Sequence, residues 1–276
     1  MSVSVLILTL NEENNLPACL ATLSRFDDVV VLDSYSTDRT TSIAQESCAR
    51  VIQRKFDNWA AHQNWAMTCI AFKYPWVFYI DADERMTPEL AEEIHAIAED
   101  PIRPEVAFYC GRRNMFMGRW IKHAMPPGNI MRFFKPGFIR FERLVNPTPV
   151  IDGPYGYLRH RLVHYNFSKG LTEWVEKHNK YSLMEAMQGL DELRKGSLSA
   201  TSVLSGDPAV RRKALKALSF RLPFRPLLKF LYLYIINRGF LDGRPGMTYC
   251  LLQSIYEYMI VIKMKELRRG EQGLPV

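Results

Sequence analysis

Three carboxylates in the first third of the chain follow apolar runs directly. Asp33 ends the apolar segment 28–33, and Asp81 and Asp83 follow the run 76–80. An Asp-x-Asp pair at the end of a buried strand suits Mg²⁺ or Mn²⁺, because these ions prefer oxygen ligands and retain positions for phosphate oxygens. Such an ion neutralises the charge that builds on a departing diphosphate. The alternative is that Asp81 and Asp83 only cap a helix that begins near Thr87.

The elements that must position these carboxylates alternate between strand and helix patterns. Four runs read as buried strands: 3–10, 28–33, 51–52 and 76–80. Strands that alternate with helices predict an α/β fold with a parallel sheet and right-handed crossovers. Open sheets of this kind bind ligands at the carboxyl ends of their strands. We therefore expect the polar residues after these strands to converge at one edge.

Other patterns limit the class of protein. Neither G-x-G-x-x-G nor G-x-x-x-x-G-K-[ST] occurs, which argues against dinucleotide-dependent dehydrogenases and P-loop NTPases. The five cysteines are dispersed and lack metal-ligand spacing, which indicates buried thiols in a reducing compartment. A net charge of +7 suits an anionic partner.

Three ordered motifs resemble the signature of family 2 glycosyltransferases with a GT-A fold: Thr9–Glu13, Asp33–Thr40 and Asp81–Glu84. Within that family the chain is similar to bacterial members that build lipopolysaccharide core or other lipid-linked glycans. The resemblance implies a GT-A-type, mostly parallel open sheet with flanking helices. It also implies inverting transfer of a sugar to a lipid-linked or lipopolysaccharide-core saccharide, and the expected donor is a UDP-hexose.

The resemblance also implies site residues. It assigns five residues to the nucleotide-sugar donor: Thr9, Asn11, Glu12, Asp33 and Asp81. Asp83, the last member of the Asp-x-Asp motif, is the expected ligand of the divalent cation. Two of these residues also have a purely structural interpretation. Asp is a common residue in turns after strands, as Asp33 is here, and a Glu such as Glu12 is common in the first turn of a helix.

An inverting transfer needs a base for the acceptor hydroxyl. Glu142 is the expected base, with a surface partner of Arg140 or Arg143 as the alternative reading, and Asp152 is a second candidate. Arg112, Arg113 and Arg132 could each bind diphosphate, but for each a structural or solvated role is expected. His62 and His164 are expected to be structural.

The last part of the chain differs in character. Residues 208–241 contain eight Lys or Arg and no Asp or Glu, with aromatic residues and leucines between them. We expect a catalytic domain over 1–205 and a basic, amphipathic, helical region over 206–276 that associates with an anionic membrane surface. Packing against the catalytic domain or a second subunit is the alternative. No apolar run approaches the roughly 20 residues of a span, so we expect a cytoplasmic protein, peripheral on the inner face of the cytoplasmic membrane.

Two other functions compete with this reading. A sugar nucleotidyltransferase shares the sheet and the acidic metal site, but it would carry a glycine-rich basic loop where this chain has the acidic segment 11–14. A non-enzymatic basic protein that binds membrane or nucleic acid ranks third, because carboxylates in a cleft repel phosphates unless a metal is present. No nucleic-acid partner is expected.

Overall fold

The computed structural model describes residues 2–126, 128–142, 147–194 and 224–275, together with six single residues: 206, 211, 214, 218, 220 and 222. The chain divides into two compact units. Unit 1 comprises Met1–Met115 and Pro127–Ser168, and unit 2 comprises Phe116–Pro126 and Lys169–Val276. The predicted domain boundary after residue 205 falls at the end of a stretch outside the described residues.

Eleven strands lie in the described part of the chain: β1 Val3–Thr9, β2 Val29–Asp33, β3 Arg50–Gln53, β4 Trp76–Asp81, β5 Glu84–Arg85, β6 Ala107–Phe116, β7 Arg119–Trp120, β8 Asn129–Phe134, β9 Ile139–Glu142, β10 Thr148–Ile151 and β11 Tyr155–His164. Nine of them form one sheet, in which eight follow the order β3-β2-β1-β4-β8-β6-β11-β5 and β7 pairs with β6. Strands β9 and β10 pair separately as an antiparallel ribbon.

The sheet is mostly parallel. β1 pairs in parallel with β2 and β4, β2 with β3, and β6 with β11, whereas β8 and β5 run antiparallel to their neighbours. Because β8 is antiparallel to both β4 and β6, the carboxyl ends of β1, β2, β4, β6 and β11 meet at one edge. The predicted α/β fold with a mostly parallel open sheet is confirmed.

Strand β1 shows why this sequence forms the centre of the sheet. All seven of its residues are buried, as expected for a β-branched strand covered on both faces. Val5 and Ile7 pack on one face in a core that includes Leu90, and Leu6 packs on the other face with Ala60. Successive side chains alternate across the sheet, so one strand supplies both cores.

Five helices belong to the order of elements up to residue 194: α1 Leu16–Ala21, α2 Thr40–Glu46, α3 Trp59–Cys69, α4 Pro88–Glu99 and α5 Gly170–Arg194. Side chains cap the N-termini of two of these helices. Asn58 accepts the Ala61 N–H at the start of α3, and Thr87 accepts the Leu90 N–H at the start of α4. The cap of α4 by Thr87 leaves Asp81 and Asp83 outside the helix, so the alternative reading of these residues as helix caps is wrong.

The segment 105–165 differs from its expected form. Its aromatics, arginines and turns predict irregular strands and loops over a site, yet it contains the ten-residue strands β6 and β11 of the main sheet. Both strands have exposed or half-buried polar positions, so their sequences lack the continuous apolar run that identifies β1 and β4.

Unit 2 contains the short strand β7 and is otherwise mainly helical where it is described. After α5 it contains α6 Arg225–Leu231, a π-helical turn Tyr232–Ile236, a 3-10 turn Gly239–Asp242 and α7 Gly243–Glu271. Ala186 and Leu190 of α5 pack against Ile260 and Met264 of α7. None of the described helices combines the length and the apolar character that crossing a bilayer requires.

Candidate active site

Two loops at the carboxyl edge of the sheet are joined by hydrogen bonds. The Glu12 N–H donates to Thr40 Oγ1 at 2.8 Å, and Asn11 Oδ1 accepts the Thr37 N–H at 2.8 Å. Asn11 adopts a left-handed backbone with a φ of 55°, which asparagine tolerates better than most residues. The loops after β1 and β2 therefore form one framework, and the structure brings the predicted donor residues Asn11 and Glu12 next to the Asp33 loop.

Asp33 is buried and lies at the centre of this framework. Its oxygens accept the Thr9 hydroxyl at 3.0 Å, the Ser36 N–H at 2.8 Å and the Gln53 side-chain amide at 3.2 Å. The Ser36 hydroxyl also donates to it. These bonds fix the turn that follows β2. Asp33 therefore positions that turn, and Thr9 donates one of the hydrogen bonds that hold the Asp33 carboxylate.

Asp81 lies against a buried arginine. Arg132, on β8, is ion-paired with Asp81 and also with Glu84, whose Oε1 lies 3.0 Å from Arg132 Nη2. The Tyr79 hydroxyl donates to the other oxygen of Asp81 at 2.6 Å. The Arg132 guanidinium also stacks over the Tyr79 ring at 4.3 Å. Arg132 therefore holds the Asp81 carboxylate in place, in keeping with the structural role expected for it.

Burial shapes the titration of this cluster. It raises the pKa of the Glu84 carboxyl, and the neighbouring charge of Arg132 offsets part of that rise. The charges of Asp81 and Glu84 outweigh the burial of Arg132 and hold its pKa well above the ordinary value. Glu84 was not among the predicted site residues, although it directly follows the Asp-x-Asp motif.

Asp83 faces a histidine. His164 Nε2 lies 3.4 Å from Asp83 Oδ2, and His164 Nδ1 lies 2.9 Å from Asn114 Oδ1. The register of the sheet sets this contact, because His164 of β11 is paired with Asn114 of β6. An amide oxygen only accepts, so Nδ1 carries a proton and Nε2 is the nitrogen that meets Asp83. Burial raises the pKa of Asp83, but the hydrogen bond and charge of His164 and the charge of Arg132 outweigh it and hold that pKa below the ordinary value.

The Asp83–His164 pair fits a divalent cation. Two ligand atoms about 2.1 Å from a shared ion lie about 3.0–3.4 Å apart, and the two facing atoms here are 3.4 Å apart. Each side chain is partly exposed, so the remaining positions of an ion are open to water and phosphate oxygens. No cluster of three or more His, Cys, Asp or Glu with metal-binding geometry occurs among the described residues. The pair thus suits a cation that takes part of its coordination from the ligand.

Sequence reasoning expected His164 to be structural and so missed this partner of Asp83. A signal was present, because His164 ends a strand and the carboxyl ends of parallel strands share an edge. The parallel pairing of β11 with β6 was the missing information.

The expected base, Glu142, lies on the separate ribbon of β9 and β10 and not on a strand of the main sheet. Glu142 ends β9 with an exposed side chain, and its Oε1 lies 3.4 Å from Arg140 Nε. Residues 143–146, which follow it, lie outside the described part of the chain. The ribbon is anchored one residue earlier, where Asn64 exchanges two hydrogen bonds with the backbone of Phe141.

Comparison with known proteins identifies the family of this chain. Residues 4–165 match the family model described as Glycosyl transferase family 2. The lipopolysaccharide core biosynthesis glycosyltransferase LpsC of Rhizobium meliloti is 25% identical over 279 residues, which cover 96% of this chain and 92% of that protein. An uncharacterized glycosyltransferase of Rickettsia typhi is 24% identical, covering 96% and 87%.

Among solved structures, glucosyl-3-phosphoglycerate synthase from Mycobacterium tuberculosis, in complex with Mn²⁺ and UDP-glucose, aligns with a TM-score of 0.35 and 21% identity. The alignment covers 41% of this chain and 44% of that chain. The family match includes β1, β2, β4 and β11, and with them every residue of the site described above. This chain belongs to glycosyl transferase family 2.

Proposed function

We propose that this protein is a metal-dependent, inverting glycosyltransferase that moves a hexose from a UDP-hexose to a lipid-linked or lipopolysaccharide-core saccharide. The observation that carries the proposal is the Asp83–His164 pair, 3.4 Å apart beside the Asp81–Arg132 ion pair. Asp83 and His164 would hold a divalent cation, which supplies charge neutralisation for the departing UDP.

The chain's own residues account for the other requirements. Asp33 fixes the loop after β2, and Thr9, Asn11, Glu12 and Asp81 complete the donor side as the family resemblance implies. Arg132 keeps Asp81 oriented, and the Asp81 side chain stays one-third exposed. Glu142 is proposed as the base that removes the acceptor proton on the face opposite UDP, with Asp152 as its alternative.

The acceptor and the location rest on two further observations. The Rhizobium meliloti relative is named for lipopolysaccharide core biosynthesis, which supports a lipid-linked saccharide acceptor. All five cysteines are free, two of them exposed, which supports a reducing cytoplasmic compartment. We propose that the protein works at the inner face of the cytoplasmic membrane.

Calorimetric titration with UDP, with and without Mn²⁺, tests the donor site. We expect wild type to bind UDP in a Mn²⁺-dependent manner and Asp83→Asn to lose that dependence. Asp100→Asn is the matched control, because Asp100 is a surface carboxylate paired with Arg103. The cation assignment would be contradicted if UDP affinity were the same with and without Mn²⁺. It would also be contradicted if Asp83→Asn kept the wild-type dependence on Mn²⁺.

A turnover assay separates transfer from nucleotide chemistry. Incubation with a UDP-hexose and membrane lipid extract should release UDP and label a lipid-linked product. Consumption of UTP with a sugar phosphate would instead identify a nucleotidyltransferase.

A further inference from the structure

Helix α6 and the π-helical turn after it expose their apolar side. Six side chains form what we call the apolar face: Leu227, Leu228, Leu231, Tyr232, Ile235 and Ile236. Each is between 38% and 70% exposed. Their spacing of one and then three residues spreads them over about half of the helix circumference. This is a continuous apolar surface rather than scattered single residues, and such surfaces mark interaction sites.

Of the two charged side chains of the same helix, Arg225 turns inward and Lys229 is one-third exposed. Arg225 Nε lies 2.8 Å from Glu257 Oε2 of α7, and the two side chains are only 11% and 12% exposed. Lys229 Nζ lies 4.0 Å from the other oxygen of Glu257. Water favours the reverse arrangement, with ions outside and leucines inside. The helix is therefore built to meet a medium less polar than water.

Within residues 224–241, which carry the apolar face, every charged side chain is basic. Residues 224–241 contain no Asp or Glu, and Arg238 and Arg244 are exposed. The next acidic residue, Asp242, is buried and accepts three backbone N–H groups, so it adds no exposed negative charge. An exposed aromatic ring stands at each end of the segment, Phe224 and Phe240. Aromatic rings and arginines beside an apolar surface are typical of the bilayer interface.

We infer that the apolar face, with Arg238 and Arg244, docks onto an anionic lipid bilayer. The apolar side chains enter the boundary between headgroups and acyl chains, and the two arginines pair with lipid phosphates. A second copy of this chain is a poorer occupant, because a two-fold interface would bring the same arginines together from both copies. The inference deepens the proposed function by naming the membrane-contacting residues, and it rests on that function only for the presence of a membrane.

Co-sedimentation with vesicles tests the inference. Full-length protein is mixed with phosphatidylcholine vesicles alone and with vesicles that also contain phosphatidylglycerol. We expect binding to the anionic vesicles. The double variant Ile235→Asp, Ile236→Asp should bind them at least about tenfold more weakly, since burying one large aliphatic side chain corresponds to about that factor or more. Ile102→Asp is the matched control, because Ile102 is 89% exposed and lies in unit 1. Leu227→Asp provides an independent variant should the double variant fail to fold.

Three results would overturn the inference. They are absence of wild-type binding to anionic vesicles, undiminished binding by both variants, and a wild-type dimer that the variants convert to monomer in analytical ultracentrifugation. Arg238→Asn should weaken binding to anionic vesicles only, because it removes a positive charge. The fold should be retained, since asparagine tolerates the left-handed backbone of residue 238. UDP titration of the same samples separates this inference from the proposed function. If the wild type binds UDP but does not bind anionic vesicles, the docking face alone is refuted.

Discussion

His164 Nε2 lies 3.4 Å from Asp83 Oδ2, and Asn114 fixes the opposite nitrogen of the same ring. Two residues 81 positions apart in the sequence thus form a pair that orients one carboxylate and one imidazole toward each other. The partner on Nδ1 fixes the tautomer, as second partners of metal-binding histidines generally do.

The first prediction concerns this pair. Asn114→Leu should weaken Mn²⁺-dependent UDP binding by about 10- to 100-fold by freeing the ring, and His164→Gln, which removes the ring itself, should weaken it at least as much. Calorimetry at fixed Mn²⁺ measures both. His160→Gln, a histidine on the same strand with an exposed side chain, serves as the control. Equal affinity in wild type and His164→Gln would remove His164 from the site.

The second prediction concerns the buried arginine. Arg132→Met should lower the free energy of unfolding by about 3–5 kcal/mol, because it leaves Glu84 and Asp81 without their shared cation. Adding Glu84→Gln to Arg132→Met should restore part of the loss by removing the buried charge. Urea unfolding of the two variants and wild type measures this. If the double variant is no more stable than the single one, the ion pair is not the cause.

The third prediction concerns the proposed base. Glu142→Gln should lower turnover by about 10²- to 10⁴-fold while Mn²⁺-dependent UDP affinity stays at the wild-type value. Arg140→Gln removes the ion-pair partner of Glu142 and should retain most activity. Normal turnover in Glu142→Gln, with loss in Asp152→Asn, would transfer the role to Asp152.

The fourth prediction is a pH dependence set by His62. Burial, and then the charge of Arg54, lower the His62 pKa below 6.5, and Arg54 Nη1 donates to His62 Nδ1 at 2.8 Å. Below about pH 6.5 the unfolded chain therefore binds more protons than the folded one, so the stabilisation is complete above that pH and is lost as the pH falls. Wild type should lose up to about 1.4 kcal/mol more per pH unit than His62→Gln between pH 6.5 and 5. Thermal unfolding across that range checks this, and parallel curves for the two proteins would contradict it.

The fifth prediction concerns Asp242 in unit 2. Its carboxylate accepts the N–H groups of Lys122, His123 and Ala124 at 2.8–3.1 Å. Asp242→Asn should lower the free energy of unfolding by about 2–4 kcal/mol, because the amide accepts fewer of these bonds and adds donors that lack acceptors. Glu266→Gln, at an exposed position of the helix α7 that follows Asp242, should change the free energy of unfolding by less than about 0.5 kcal/mol. Similar unfolding midpoints for the two variants would show that the three bonds contribute little.

The sequence by itself determined the fold class and the sheet edge at which the predicted donor residues gather. The continuous apolar runs of β1, β2 and β4 can only be satisfied in a sheet covered on both faces, and a parallel sheet brings the residues after them together. The ordered motifs around Thr9, Asp33 and Asp81 indicated the glycosyltransferase family, and family membership sets aside the nucleotidyltransferase and non-enzymatic alternatives.

Only the tertiary structure decided which side chains meet. Local sequence carries no record of strand register, so the pairing of β11 with β6 that brings His164 to Asp83 could not be read from spacing. The same holds for Arg132, which reaches Asp81 and Glu84 because β8 runs antiparallel beside β4. The inward turn of Arg225 and the exposure of the apolar face likewise depend on which side of α6 the long helix α7 covers, and that choice belongs to packing rather than to composition.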